Sequence, residues 1–481
     1  MKLQRRLRQQ GIKGNSYRLI FGDMKEIGRL MKEAWSKPMN LTHQIAARVF
    51  PYFHDLVQKE GTTPRVIVND PELMKQVLSN KFGHFCKPPI NPWIKILTMG
   101  ITNLEGEDWV KRRRVITPAF HVEKLKAMMP AFSTSCSEFI ARWREMVGPQ
   151  GSRELDVWPE FQNLTGDIIS RTAFGSNYEE GRRIFELQKE QVQLVIEAAY
   201  SPYIPGLRFV PTKKNRRRLF LDKEIKAIVR GLIQKKQQAM RMGGSCTDDL
   251  LGLLLLQSSS CSDAQEARTE SKYTSLTTDD VIEECKLFYF AGQETTAVWL
   301  TWTMIVLAMH PNWQELAREE VLQTCGKNTP NCDNINHFKI VTMILYEVLR
   351  LYPPVAVLFR HTYKKIELGG ISLPQGVDLL LPTLLIHHDP EFWGDDREEF
   401  KPERFSEGVS KASNERNAFF PFGWGPRICI GQHFAMIEAK MAVAMVLQHF
   451  SLELSPSYAH APYTIITLQP QYGAQLILHQ L

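Results

Sequence analysis

The chain has 481 residues, 43% of them hydrophobic and 23% charged, and carries a formal charge of +7. This is ordinary globular composition with material for a large core, and length alone suggests two or three domains. A basic excess this small on so long a chain favours an acidic protein surface or anionic lipid as partner and argues against wrapping nucleic acid.

The chain opens on Met1-Lys2-Leu3-Gln4-Arg5-Arg6-Leu7-Arg8, which is neither a signal-peptide core nor a membrane helix. No apolar run is long enough to span a bilayer; the densest, 250–256, is far too short. The eight cysteines form no Cys-x-x-Cys pair, which argues against a zinc site and a disulfide scaffold and suggests a reducing, cytosol-facing setting.

Strand-like pieces are few and short: 64–68, 366–373, 377–381 and 475–478. In Trp109-Val110-Lys111-Arg112-Arg113-Arg114, Trp109 and Arg113 lie one helical turn apart, while Lys111, Arg112 and Arg114 read as a solvated basic face open to an acidic partner. Turn signals mark a seam at 148–152, and residues 257–275, rich in Ser, Thr, Glu and Ala, read as a mobile exposed loop.

A long helix follows over 279–310, about 48 Å at 1.5 Å per residue. Thr277 or Thr278 caps it, Asp279, Asp280, Glu283 and Glu284 suit its dipole, and Pro311 ends it. A helix so long and so apolar crosses the interior. It carries Ala291-Gly292-Gln293-Glu294-Thr295-Thr296. A mid-helix glycine costs about 1 kcal/mol relative to alanine, and a threonine hydroxyl can bond back to a preceding carbonyl. Together they are expected to loosen the ladder and open a notch.

A second helix is expected over 337–351, with Glu347 and Arg350 one turn apart on one face, and a third over 430–450. The whole is a mainly α chain with small β-sheets. His387, His388 and His433 are ligand types without a partner at useful spacing and read as structural.

The most specific stretch is Phe422-Gly423-Trp424-Gly425-Pro426-Arg427-Ile428-Cys429-Ile430-Gly431. A metal-binding thiolate must be deprotonated, shielded and held by backbone donors. Gly423, Gly425 and Gly431 let the backbone close around the sulfur, Phe422 can cover it, and Arg427 can meet an anionic group of a cofactor. These needs point to haem iron with Cys429 as axial ligand.

The segment resembles the haem-binding loop of the cytochrome P-450 monooxygenases, Phe-x-x-Gly-x-Arg-x-Cys-x-Gly, and Ala291 to Thr296 matches the same family's distal motif at every position. The resemblance implies one haem-thiolate domain over 15–481, with the long helix lying over a buried haem b (iron protoporphyrin IX). It implies that Thr295 donates a hydrogen bond to oxygen held beside the iron and that Glu294 helps relay protons. Trp109 and Arg113 would meet a haem propionate, as would Arg360, ten residues after Arg350. Glu347, Arg350 and Arg404 (from Pro402-Glu403-Arg404-Phe405) would form a buried network supporting the cysteine loop.

No Gly-x-Gly-x-x-Gly fingerprint is present, so electrons come from a separate NADPH-cytochrome P450 reductase. Residues 1–14 look like the basic segment that follows a membrane anchor, which places the expected enzyme on the cytosolic face of the endoplasmic reticulum membrane with the anchor missing. Arg6 to Ile12, Ile116 to Phe120, Glu284 to Phe290 and His460 to Leu478 further resemble the plant secologanin synthase-like branch. This implies oxygen insertion from O2 into a C–H bond of a lipophilic terpenoid or hormone-like metabolite. Candidate walls are 89–99, 200–209, 355–358 and Ile465-Ile466. One departure is that Val57-Gln58-Lys59-Glu60-Gly61 runs straight into Thr62, omitting an aromatic strand, a loss expected to impair folding. Two alternatives share the cysteine loop: a haem-thiolate isomerase or dehydratase needing no external electrons, and a truncated, inactive haem binder.

Overall fold

A computed structural model describes residues 9–10, 24–51, 65–81, 83–89, 92–176, 178–199, 206, 209–243, 249–258, 276–414 and 417–481. The expectations for the basic segment 1–14 (apart from 9–10), the missing strand near Lys59, and nearly all of 257–275 and 200–209 lie outside the described residues.

The architecture is mainly helical with small sheets, as the periodicities require. Its axis is the central helix, Thr278–Met309. Thr277 caps it in a capping box with Asp280, and Pro311 opens the next helix, Pro311–Cys325, at the position where a missing N–H costs nothing. Every residue from Thr296 to Ala308 is buried, so no amphipathic stripe remains in this half. The helix packs on Val157–Phe174, Gln432–His449 and Ile340–Leu351.

Gly292 faces Ile169, where a Cβ would come within 2.7 Å of that side chain. Gly166 on the neighbouring helix is likewise crowded, by Phe185 and Gln293. The two glycines let the backbones approach, and the Thr165 hydroxyl then donates to the Gln293 carbonyl at 2.8 Å. The central helix runs unbroken through this point. Gly292 thus serves a close helix crossing, a use beyond the loosening expected from the sequence.

Four strands form the largest sheet, in the order Arg65–Ile67, Asp378–Leu381, Leu358–Thr362, Phe85–Cys86; the first pair is parallel and the others antiparallel. A three-stranded sheet joins Ser152–Asp156, Gln475–Gln480 and Phe450–Leu454. The stretch 366–373 is two strands rather than one, Ile366–Leu368 and Ile371–Leu373, reversing at Gly369 and Gly370, both left-handed. The helix expected over 337–351 is split: Cys332–His337 ends on extended Phe338, and Ile340–Leu351 follows. A second hairpin pairs Pro462–Thr464 with Leu468–Pro470 and carries half-buried Ile465 and Ile466 at its tip.

Candidate active site

The cysteine loop is shaped by its own glycines and by the helix Pro71–Ser79. Gly423 and Gly425 are left-handed, and a Cβ at 425 would come within 2.7 Å of the Leu78 carbonyl oxygen. At Gly431 a Cβ would meet nothing closer than Phe120 at 3.9 Å, so no protein contact demands that glycine. The Cys429 N–H donates to the Phe422 carbonyl at 2.9 Å, closing the turn. Phe422 rests edge-on against Trp299 of the central helix, with ring centroids 6.1 Å apart. That contact brings the loop under the helix that carries the Ala291 to Thr296 motif.

The Cys429 side chain is exposed although its loop packs beneath the central helix, so its sulfur is open to a bound group. Burial pushes its thiol up, while the Gly431 N–H and the Arg113 guanidinium act in the opposite sense. A thiol so placed gives up its proton to a coordinated metal ion rather than to water.

Arg113 faces it, and Lys87 and Arg360 gather near Arg427 of the same loop. Burial, then Arg360 and Arg427, hold the Lys87 ammonium down at about 7, and burial, then Arg427, hold Arg360 at about 10. Glu105 is the carboxylate that offsets them. It takes a bond from Arg427 at 2.6 Å and another from the Lys87 N–H at 2.8 Å. Arg427 also donates to the Leu104 carbonyl and lies over the Trp109 ring at 4.6 Å. The sequence leaves Arg427 free for a cofactor anion; in the structure Glu105 already engages it.

On the central helix, Thr295 is half-buried and its hydroxyl donates to the Ala291 carbonyl at 2.9 Å. Glu294 is turned to the 462–470 hairpin, where it accepts from Thr467 at 2.7 Å and from Gln469. Burial pushes its carboxyl up, against these bonds.

The cytochrome P450 family model matches residues 15–477. The chain belongs to the cytochrome P450 family. Over its whole length it is 59% identical to cytochrome P450 CYP72A616 of Paris polyphylla, covering 94% of that protein. It is 50% identical to the 7-deoxyloganic acid hydroxylase of Catharanthus roseus, covering 94%, and 49% identical to the 11-oxo-beta-amyrin 30-oxidase of Glycyrrhiza uralensis, covering 93%. P450 enzymes are haem-iron monooxygenases, and the residues here fit that group. Arg360 is buried and Lys87, Arg113 and Arg427 are half-buried, and these cations outnumber the carboxylate that offsets them, an arrangement that anions would relieve. The two propionates of an iron porphyrin have the required sign.

The Glu347–Arg350–Arg404 network connects to the start of the cysteine loop through His387. Arg350 meets Glu347 through two bonds, at 2.7 and 2.8 Å, and both side chains are 0% exposed. Arg404 approaches Glu347 at 3.5 Å and pairs with Asp396 at 2.8 Å. Arg350 also donates to the His387 carbonyl at 2.9 Å, and the His387 ring accepts the Phe420 N–H at 2.9 Å at the start of the cysteine loop. His387 and His388 are buried within this structure, while His433 is exposed.

Sequence reasoning missed Lys87 and Glu105, which have no motif of their own; only the chain reversal brings them beside Arg427. It also misplaced Arg112. Instead of lying on a solvated face, Arg112 is buried and paired with Glu284 at 2.6 Å and Asp280 at 3.0 Å. Lys111 is half-buried and Arg114 exposed.

Proposed function

We propose that this P450 uses haem b to insert one oxygen atom from O2 into a C–H bond of a lipophilic plant metabolite of the terpenoid or hormone-like class. Electrons come from a separate NADPH-cytochrome P450 reductase. The observation that carries the reading is the accessible Cys429 side chain, held in a loop beneath the central helix, within reach of the Gly431 N–H and facing Arg113. The names of two relatives, a 7-deoxyloganic acid hydroxylase and an 11-oxo-beta-amyrin 30-oxidase, support a bulky terpenoid.

When bound, haem supplies the oxygen activation and the C–H oxidation. Cys429 would ligate its iron. Trp109, Arg113, Arg360, Arg427 and Lys87 would hold its carboxylates, with Gly423 setting the turn and Phe422 covering the sulfur. Thr295, on the facing helix, holds its hydroxyl ready by a single bond to Ala291 that it can exchange for one into the site. Glu294, its carboxyl raised by burial, can carry a proton toward that hydroxyl. Glu347, Arg350 and Arg404 act as support.

A cleft of about 420 Å³ lined by Trp109, Val110, Arg113, Arg114, Thr117, Pro118 and His121 offers a basic rim for an acidic electron donor. Among the described residues no helix is long and apolar enough to cross a membrane. Exposed Phe209, Val210, Leu219 and Phe220 support contact with a membrane surface, which we assign to the cytosolic face of the endoplasmic reticulum.

The test is the absorption spectrum of the purified chain, reduced and exposed to carbon monoxide, followed by turnover of a terpenoid panel with reductase. A thiolate-shifted Soret band that disappears in Cys429→Ser, with substrate-dependent NADPH consumption, is the expected result. A spectrum unchanged in that variant overturns the ligand assignment. Conversion of a lipid peroxide without NADPH favours the isomerase reading.

A further inference from the structure

Glu284 sits in the second turn of the central helix and is 0% exposed. One of its oxygens accepts from Arg112 at 2.6 Å and the other from the Ile101 N–H at 3.2 Å. Arg112 belongs to the helix Gly106–Ile116, which also carries Trp109 and Arg113. Ile101 lies in the turn after the helix Pro92–Thr98. One carboxylate thus joins three elements that adjoin the site. Gly100 is part of the fit: its φ is +113°, and a Cβ there would come within 2.9 Å of the Glu284 oxygen.

The same turn is tied at its other end, where Arg427 of the cysteine loop takes the Leu104 carbonyl and Glu105. The segment 100–105 is therefore strapped between two arginine-centred ties. One reaches the central helix and the other reaches the cysteine loop. The helix Pro92–Thr98 that precedes it is met from above by Arg218, which lies over the Trp93 ring at 5.1 Å.

We propose that Glu284, through Arg112 and the Ile101 N–H, is a positioning residue that holds residues 92–104, including part of the candidate wall 89–99, against the central helix and so sets access to the P450 site. This rests on the monooxygenase reading for what the site is used for, while the strap itself is a property of the fold. A charged tie suits the task better than apolar packing, because its geometry is directional and it locks one register of turn against helix. Releasing it leaves the buried Arg112 half-served, retaining among the described residues Asp280, whose side chain is 41% exposed.

The experiment compares wild-type holoprotein with Glu284→Gln, Arg112→Lys and Gly100→Ala. Amide hydrogen exchange is read over 92–104 and over 420–431, with carbon monoxide rebinding after flash photolysis. In Glu284→Gln, exchange over 92–104 is expected to quicken about tenfold and rebinding severalfold, with the cysteine loop and the Soret band unchanged. Arg112→Lys, which keeps a cation, recovers part of the effect. Gly100→Ala, which alters no charge, reproduces it by pushing the carboxylate away. Unchanged exchange over 92–104 in holoprotein, or equal loosening of 420–431, overturns the proposal. If Glu284→Gln does not retain haem, the other two variants decide by the same readouts. Failure of the monooxygenase reading would show separately, as a wild-type protein without the thiolate-shifted band.

Discussion

Two buried arginine–glutamate pairs of this molecule differ in how completely they are satisfied. At Glu347–Arg350 the guanidinium also meets carbonyls of His387, Arg397 and Glu399, and Glu347 takes the Lys401 N–H at 3.0 Å besides. At Arg112–Glu284 the carboxylate has two partners, and burial pushes it up to about 7 despite them. The first pair is local, three residues apart on one helix; the second joins residues 172 apart. A saturated local pair is a fixture. A less saturated pair between segments distant in the chain is suited to hold one element in place and to let it go.

The largest effect that would break this contrast is on the saturated pair. Arg350→Ala leaves Glu347 charged and buried, at a cost of about 3–5 kcal/mol. We expect little soluble holoprotein, seen as loss of the Soret band per polypeptide and a collapsed denaturant midpoint. Survival of normal haem loading would show that the network is dispensable.

Gly425→Ala comes next. It combines a left-handed backbone with an overlap against the Leu78 carbonyl, so about 2 kcal/mol of stability should go, with cysteine-loop disorder read by hydrogen exchange.

The Glu284 pair should show itself through pH. Its folded pKa of about 7 lies above the ordinary 4.5, so the folded state holds the proton more tightly and loses stability as pH rises from about 4.5 through 7. That trend amounts to at most about 3.5 kcal/mol, at about 1.4 kcal/mol per unit. In Glu284→Gln this part of the decline in melting temperature between pH 5 and 7 should vanish, and an unchanged slope would assign it elsewhere.

Smaller still is Thr467→Val, which removes one hydrogen bond to Glu294. It should cost about 1 kcal/mol and push that carboxyl further up, visible as a shifted pH profile of turnover. The smallest change in stability belongs to exposed Arg114→Glu, within about 0.5 kcal/mol. It should nonetheless slow reduction by the reductase, with steeper loss at low salt.

What the sequence by itself determined is local or chemically singular. The Cys429 loop announces its chemistry through residue types at fixed spacing. The central helix is legible from its cap, its acidic start, its apolar run and Pro311. Glu347 and Arg350 are readable as partners because helical spacing puts them on one face. Tertiary structure alone decided the partners that arrive from far along the chain: Arg112 with Glu284, Glu105 with Arg427, Lys87 among the arginines, Glu294 with Thr467 and Gln469. It also decided the use of Gly292, which reads as a flaw in one helix until a second helix is laid against it. The physical reason is that helical periodicity and capping act over a few residues. The partner of a buried charge is set by which distant segments the core brings together, and a single chain's order of residues does not record that distance.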